Sequence, residues 1–549
     1  MQRTAQIEPL GRRRIERFAA VRSLLKTARA ETLVVALLGA LALGLRIAYY
    51  LIDPTSSVDE AQLSLNLISR SYSGLFDQLD FNQAAPPGFL LIQKLAFVSL
   101  GPSEYAFRAF LLLSSLVSLI LFYVVARNLF DKKTGLLALI LFTISEPLLF
   151  YAATNKPYSI DVAVALTLYA AMLYSEERLG ARETILLAAA GALAVWLSYP
   201  AVFVLAGIGI VLLLESVLAR QWPRAGRLLV VGLVWGASFF AAYSLTQASL
   251  RHIQRSFAGS PDANVSADGG LSRFQSYGGV VRALLGIPHF GASARNSLAL
   301  IGVLLCVAGF AALLARRPTR ALLLVAPAFF AVLASSLGKY PLFGRTLLFL
   351  LPALFLFVAY GVRVLTTITR ARLVAVVAVV AFGALVAAGA VAPFNHLRLQ
   401  DHRELKQALQ HLAENQQPGD SLYVFPNVQY DLRYYLECGC FAGASTVRRA
   451  RNLWPLRKAA GGSAQSSPAM RSVPPKLIVG NSVSTSAAGY AADFAPLVGR
   501  PRVWVLVAAA QPQSARALIS FLNRIGTRKE SYQTKGGVAA VYLYDLHAA

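Results

Sequence analysis

Charge is scarce in these 549 residues. Only 14% are Asp, Glu, Lys or Arg, 56% are hydrophobic, and the mean hydropathy is +0.54. Soluble domains carry about 25% charged residues. A string of roughly three or four soluble domains, which the length alone would suggest, is therefore excluded. Cysteine is scarcer still, with three in the chain, so there is no disulfide framework. Cys306 lies in an apolar run. Cys438 and Cys440 are too close for an easy bridge, which wants Cα atoms about 5.5–6 Å apart. A Cys-Gly-Cys zinc half-site would need a second ligand pair, and none is evident. The chain also lacks a Gly-rich nucleotide fingerprint, an internal repeat, and the basic–aromatic alternation that cradles single strands. A nucleic-acid partner is not expected, despite 52 Lys and Arg against 27 Asp and Glu.

What is abundant is apolar sequence in runs of about 20 residues, each long enough for a bilayer core. Breaker residues divide them into eleven expected spans at 32–52, 104–126, 134–152, 158–175, 184–199, 201–218, 228–250, 296–315, 320–338, 345–362 and 373–393. Ser198-Tyr199-Pro200 separates the fifth from the sixth, because proline interrupts the helix ladder. The first 30 residues hold eight Arg and Lys before a span too long for a cleaved signal, so an uncleaved anchor is expected. With the N-terminus in the cytoplasm, Arg127, Lys132, Lys133, Arg178, Arg182, Arg220, Arg224, Arg227, Arg316, Arg317, Arg320, Arg363, Arg370 and Arg372 all fall inside. That bias fits the positive-inside rule. The basic surplus is then a topology signal, and the tail lies outside.

The expected fold class is mainly α, a polytopic transmembrane helical bundle with a C-terminal extracytoplasmic α/β domain. The expected divisions are 1–31 (basic N-terminus), 32–395 (membrane domain) and 396–549 (tail). In the tail, Leu405, Leu409 and Leu412 mark an amphipathic helix. Strands are expected at 421–425, 476–479, 503–507 and 538–544, with a helix at 514–525 and a flexible loop at 458–475. Two outside segments, 53–103 and 251–295, are too long for turns, and such loops usually carry function.

In the first loop, Ser57-Val58-Asp59-Glu60 fits a capping box of the S-x-x-E kind. Leu63 and Leu67 then share a face, so this helix is expected to lie on the membrane surface. Asp59 has two readings of equal weight: an acid favoured by the helix dipole, or a functional acid at the membrane boundary. Downstream, Asn82-Gln-Ala-Ala-Pro86-Pro87-Gly88-Phe89 opens a second apolar helix, making the loop an ordered hairpin. Arg46 and Arg108 have two readings as well, pairing with the loop acids or binding headgroups. His289 and the Arg residues of 251–295 read first as ordinary loop residues.

Asp59-Glu60 after the first span, the Asn-Gln-Ala-Ala-Pro-Pro-Gly-Phe segment and Ser103-Glu-Tyr-Ala-Phe-Arg108 together resemble the GT-C membrane glycosyltransferases. The branch is the one related to glycosyltransferase family 39 and the protein mannosyltransferases, with bacterial lipid A aminoarabinose and galacturonic acid transferases among its members. Two further motifs carry the resemblance more weakly, Asn155-Lys156-Pro157-Tyr158-Ser159-Ile160-Asp161 and Lys339-Tyr340-Pro341-Leu342-Phe343-Gly344-Arg345. Their bland readings are a snorkelling Lys156, a dipole-stabilised Asp161 and an interfacial Arg345.

The resemblance implies Asp59 and Asp161 as active-site acids. It makes Glu60, Lys156, Tyr158, Lys339, Tyr340, Arg345 and Arg108 candidate substrate-binding residues, although the capping box accounts for Glu60. It also implies a polyprenyl-phosphate sugar donor and a glycolipid, glycan or protein acceptor, in a bacterial cell membrane. No cofactor is established by the sequence, and a divalent metal stays open. A transporter or flippase, and a non-catalytic scaffold, are the rival expectations. A transporter would gather polar residues at mid-membrane, whereas here they gather at one face.

Overall fold

A computed structural model describes residues 10–52, 56–176, 179–258, 292–342, 344–367, 372–399, 404–417, 419–426, 428–438, 477–480, 487–508, 512–534, 537 and 539–547. Among the described residues, nine helices are long and apolar enough to cross a bilayer. They are Glu31–Leu51, Glu104–Leu129, Tyr158–Ser175, Ala201–Leu218, Trp222–Arg251, Ser297–Arg316, Pro318–Ser336, Gly344–Thr367 and Arg372–Asn395. A tenth is the pair Lys132–Ile144 and Glu146–Ala152, bent by 54°, where Pro147 at the start of the second helix interrupts the ladder. The expected fifth span is the helix Ala181–Leu197, whose 17 residues sit at the lower limit for a crossing. The chain is a multi-pass membrane protein. Its large exposed side chains, such as Leu233, Phe240, Leu193 and Val380, lie on these helices, as a lipid-facing surface requires.

Two close approaches pin the bundle. A Cβ placed on Gly361 would meet Leu305 O at 2.0 Å, and one on Gly309 would meet Phe357 O at 1.9 Å. The helices Ala292–Arg316 and Leu351–Thr367 thus touch backbone to backbone, the small-residue packing of membrane helices. A Cβ on Gly88 would meet Trp196 O at 2.8 Å. Glycine after the proline pair lets the hairpin helix Pro87–Leu100 lie against Ala181–Leu197.

The tail holds a five-stranded sheet in the order β2-β1-β3-β5-β4, with β1 Ser421–Val424, β2 Leu477–Val479, β3 Val503–Ala508, β4 Thr527–Gln533 and β5 Ala539–Asp545. The strands β2, β1 and β3 run parallel, with Ser421 opposite Val503 and Leu422 opposite Leu477. The strands β3, β5 and β4 are antiparallel. The helices Glu404–Asn415 and Pro512–Ile525 match the expected ones, and Leu405, Leu409 and Leu412 are buried. Asp420 ties the start of β1 to β3, accepting from Trp504 Nε1 at 2.7 Å and Arg502 Nε at 2.7 Å.

Two expectations are corrected. Cys438 is disulfide-bonded and Cys306 is free. The helix Val428–Cys438 ends at that residue. The helix Val58–Ser69 does not lie on an open membrane surface. Ala61, Leu63, Leu65 and Leu67 are all buried, because the tail helix Val428–Cys438 packs on it from outside. The 458–475 loop, most of 251–295 and His289 lie outside the described residues.

Candidate functional site

The capping box of the first loop forms. Ser57 N donates to Glu60 Oε2 at 3.0 Å, and Glu60 N donates to Ser57 Oγ at 3.4 Å. Glu60 Oε1 accepts from Asn155 N at 2.6 Å and pairs with Arg108 Nη2 at 3.7 Å. Glu60 and Arg108 are 5% and 1% exposed, so this pair is a joint between the loop, the second span and the 153–157 turn. Asn155 extends the joint, with its side chain on Ser64 Oγ at 2.9 Å and Gln93 Nε2 at 2.5 Å.

One residue earlier, Asp59 points the other way. It is half-exposed, and Arg345 Nη1 donates to its Oδ2 at 2.5 Å. Lys156 Nζ lies 3.9 Å from the same oxygen. Three segments converge there: the helix Val58–Ser69, the turn before Tyr158, and the Gly344–Leu350 turn. Gly344 takes φ +30°, which a side chain would resist, and that turn carries Arg345 to Asp59. The guanidinium sits 5.7 Å above the Tyr158 ring, a cation–π contact. Tyr151 stands beside Arg345 and packs edge-on against Tyr158 at 4.9 Å.

Burial works to raise the Asp59 carboxyl, but Lys156 and Arg345 outweigh it and hold the group below the usual carboxylate range. Burial pushes the Lys156 ammonium down to about 8, against the pull of Asp59 and Glu60.

Asp161 sits one turn inside the membrane helix, 5% exposed, and among the described residues its Oδ1 has no hydrogen-bond partner. Ser198, Tyr199, Tyr340 and Tyr158 surround it, and Tyr158 stands near both Asp59 and Asp161. Tyr340 bonds back to Thr346 O at 2.6 Å, closing the turn that carries Arg345. Lys339 is exposed on that turn, and among the described residues no hydrogen bond or ion pair links its side chain to the cluster.

Sequence reasoning missed Gln83. Its Oε1 accepts from Lys156 Nζ at 2.7 Å, and it lies against Asp59. The signal was present, since Gln83 belongs to the Asn-Gln-Ala-Ala-Pro-Pro motif. It also missed Glu104 and Tyr435. Tyr435 OH donates to Glu104 Oε1 at 2.7 Å and accepts from Ser56 N at 3.1 Å, while Lys406 closes on Glu104 from the tail. Among the described residues no three His, Cys, Asp or Glu side chains gather as a metal site would require.

Residues 84–241 match the family described as dolichyl-phosphate-mannose-protein mannosyltransferase. That stretch contains the proline hairpin, Arg108, Lys156 and Asp161. The crystal structure of ArnT from Cupriavidus metallidurans bound to undecaprenyl phosphate superposes with a TM-score of 0.51 at 14% identity, covering 93% of this chain and 97% of that one. The fold is ArnT-like. The same ArnT in its apo state gives 0.50 at 15% identity over 94% and 98%. The archaeal oligosaccharyltransferase AglB from Archaeoglobus fulgidus, in complex with an inhibitory peptide and a dolichol-phosphate, gives 0.45 at 12% identity over 95% and 74%. No curated protein sequence matches the chain. The ArnT-like fold and the family match over residues 84–241 agree with the resemblance read from the loop motifs.

Proposed function

We propose that this chain moves a sugar from a polyprenyl-phosphate donor to a hydroxyl of a lipid, glycan or protein acceptor, at the extracytoplasmic face of the membrane. The observation that carries the reading is the convergence of Asp59, Lys156 and Arg345 at one mouth of the bundle. It is supported by the protein-mannosyltransferase match of residues 84–241 and by the undecaprenyl phosphate bound to the ArnT of the same fold. The placement outside the cytoplasm is supported by the basic residues gathered on the opposite loops. A disulfide at Cys438 also suits an oxidising compartment.

Arg345 offers a planar fork and Lys156 a compact ammonium, the two common partners of phosphate oxygens. Asp59 pairs with both and leaves a net positive charge. A donor phosphate would compete for these cations and loosen their hold on Asp59, turning a tightly paired carboxylate into a usable base. Asp59 then takes the proton of the acceptor hydroxyl. The hydroxyl oxygen attacks the anomeric carbon opposite the phosphate, and the bond from that carbon to the phosphate oxygen breaks. The phosphate leaves with the bonding electrons, its charge met by Arg345 and Lys156, and the anomeric centre inverts. No general acid is needed, unlike glycoside hydrolysis with its two carboxyl roles. Asp161, buried with an open oxygen, is the group left to orient the acceptor.

The test supplies membranes containing the protein with polyprenyl-phosphate sugars, and compares envelope glycans by mass spectrometry with and without the gene. A mass difference names the sugar and acceptor together. An unchanged envelope with no transfer from any such donor overturns the reading.

A further inference from the structure

Lys156 is buried at 7% exposure, yet the carboxylate it faces is 3.9 Å away. Its short hydrogen bond is to an uncharged amide, Gln83 Oε1 at 2.7 Å. The orientation of that amide is set from behind. Gln83 Nε2 donates to Gln62 Oε1 at 3.0 Å and to Phe81 O at 3.3 Å, the same side chain hydrogen-bonds Asp59, and its oxygen is the atom that faces the ammonium. Gln62, having spent its oxygen on Gln83, presents its amide nitrogen to the Tyr430 phenol of the tail helix. Donors therefore run one way along the line, from Lys156 to Gln83, Gln62 and Tyr430, an arrangement in which each bond polarises the next.

The turn that delivers Gln83 is itself strained. Phe81 and Asn82 take φ +61° and +54°, positions rare for residues with side chains. The tail braces this turn. Tyr430 packs edge-on against Phe81 at 5.2 Å, and Arg433 lies 5.7 Å above the same ring.

We propose that Gln83 is a positioning residue that holds the Lys156 ammonium toward the donor phosphate, and that the tail domain supports it through Gln62 and Tyr430. This rests on the proposed sugar transfer. The charged groups facing Lys156 are Asp59 and Glu60 from the Val58–Ser69 helix and Arg345 from the Gly344–Leu350 turn. Gln83 is the neutral member that keeps an acceptor on the ammonium when a phosphate draws Arg345 away from Asp59.

The experiment measures donor KM and kcat from about pH 6 to 10 for the full chain and for Gln83→Leu, Gln83→Glu and Tyr430→Phe, with melting of each variant recorded alongside. A hydrogen bond to a charged group is lost in Gln83→Leu, so donor KM should rise about 10- to 100-fold with kcat within about threefold. The alkaline fall of kcat/KM should move to lower pH. Gln83→Glu keeps an acceptor on the amine, so its alkaline fall should move to higher pH, opposite to Gln83→Leu, while the added negative charge repels the donor phosphate and raises donor KM. Tyr430→Phe should raise donor KM about two- to tenfold. A purely structural role would leave the alkaline fall of both Gln83 variants in place or move it the same way, and that result overturns the proposal, as does Tyr430→Phe with an unchanged donor KM. If the unaltered chain transfers sugar and the variants do not differ from it, the positioning role fails alone. If the unaltered chain transfers nothing from any donor, the functional reading fails and takes this one with it.

Discussion

Asp59 and Glu60 are neighbours in the chain and opposites in the fold. Glu60 turns inward, where Ser57, Asn155 and Arg108 occupy its oxygens and water is excluded. Asp59 turns outward, half-exposed, with its two cations supplied by separate segments. The ion-pair chemistry is similar in both places. What differs is whether the partners can be exchanged. A buried carboxylate with every lone pair committed holds structure together. One at a solvent-open mouth can trade its cations for a substrate.

The sharpest test of that contrast removes each acid in turn. Asp59→Asn should lower transfer about 10²- to 10⁴-fold with melting unchanged, read from sugar transfer and detergent-solubilised thermal unfolding. Retention of near-normal transfer would break the comparison at its functional end. Glu60→Ala should instead take one of two nearby carboxylates from the buried Arg108, undo the capping box and cost about 1–3 kcal/mol of stability, read from denaturant unfolding. A variant that unfolds at the normal denaturant concentration would break the comparison at its structural end.

A third test concerns pH. The Lys156 ammonium must be protonated to meet a phosphate, and its pKa is lowered to about 8. The charge is therefore present below that value and lost as pH rises through it. kcat/KM for the donor should fall on the alkaline side near pH 8, and Lys156→Arg, which stays charged, should flatten that fall. The smallest effect is expected at Tyr435→Phe. It removes one hydroxyl from the Glu104 and Ser56 contacts and should cost about 1 kcal/mol, with the pH profile unmoved.

The sequence made the membrane architecture legible because hydrocarbon imposes a length and a composition on every crossing. It made Asp59, Lys156 and Arg345 legible because each stands at a break between apolar runs. Arg345 and Asp59, 286 residues apart, came together only through topology and the resemblance. The Tyr435–Glu104 contact spans 331 positions and joins a membrane helix to the tail, so no local pattern could show it. The strand β4 was missed for a different reason. Thr527–Gln533 is polar throughout and mostly exposed, as befits the edge of a sheet guarded by charge. Its sequence therefore lacks the apolar alternation by which strands are recognised. Helix Val428–Cys438 was missed because it is short and mixes its tyrosines with Asp431, Arg433 and Glu437. Their task, covering the Val58–Ser69 helix, is visible only once both helices are in place.

The backbone contact at Gly309 and Gly361 bears on how a carrier lipid could reach the site. Where the two backbones touch at these glycines, with Phe310 and Phe357 packed edge-on beside them, there is no slot for an isoprenoid chain. That seam is shut to lateral traffic from the bilayer, and the lipid tail of the proposed donor would have to thread between other helices. Widening it with Gly361→Leu would wedge the bundle apart from behind. It would disturb folding long before it opened a second entrance for the donor.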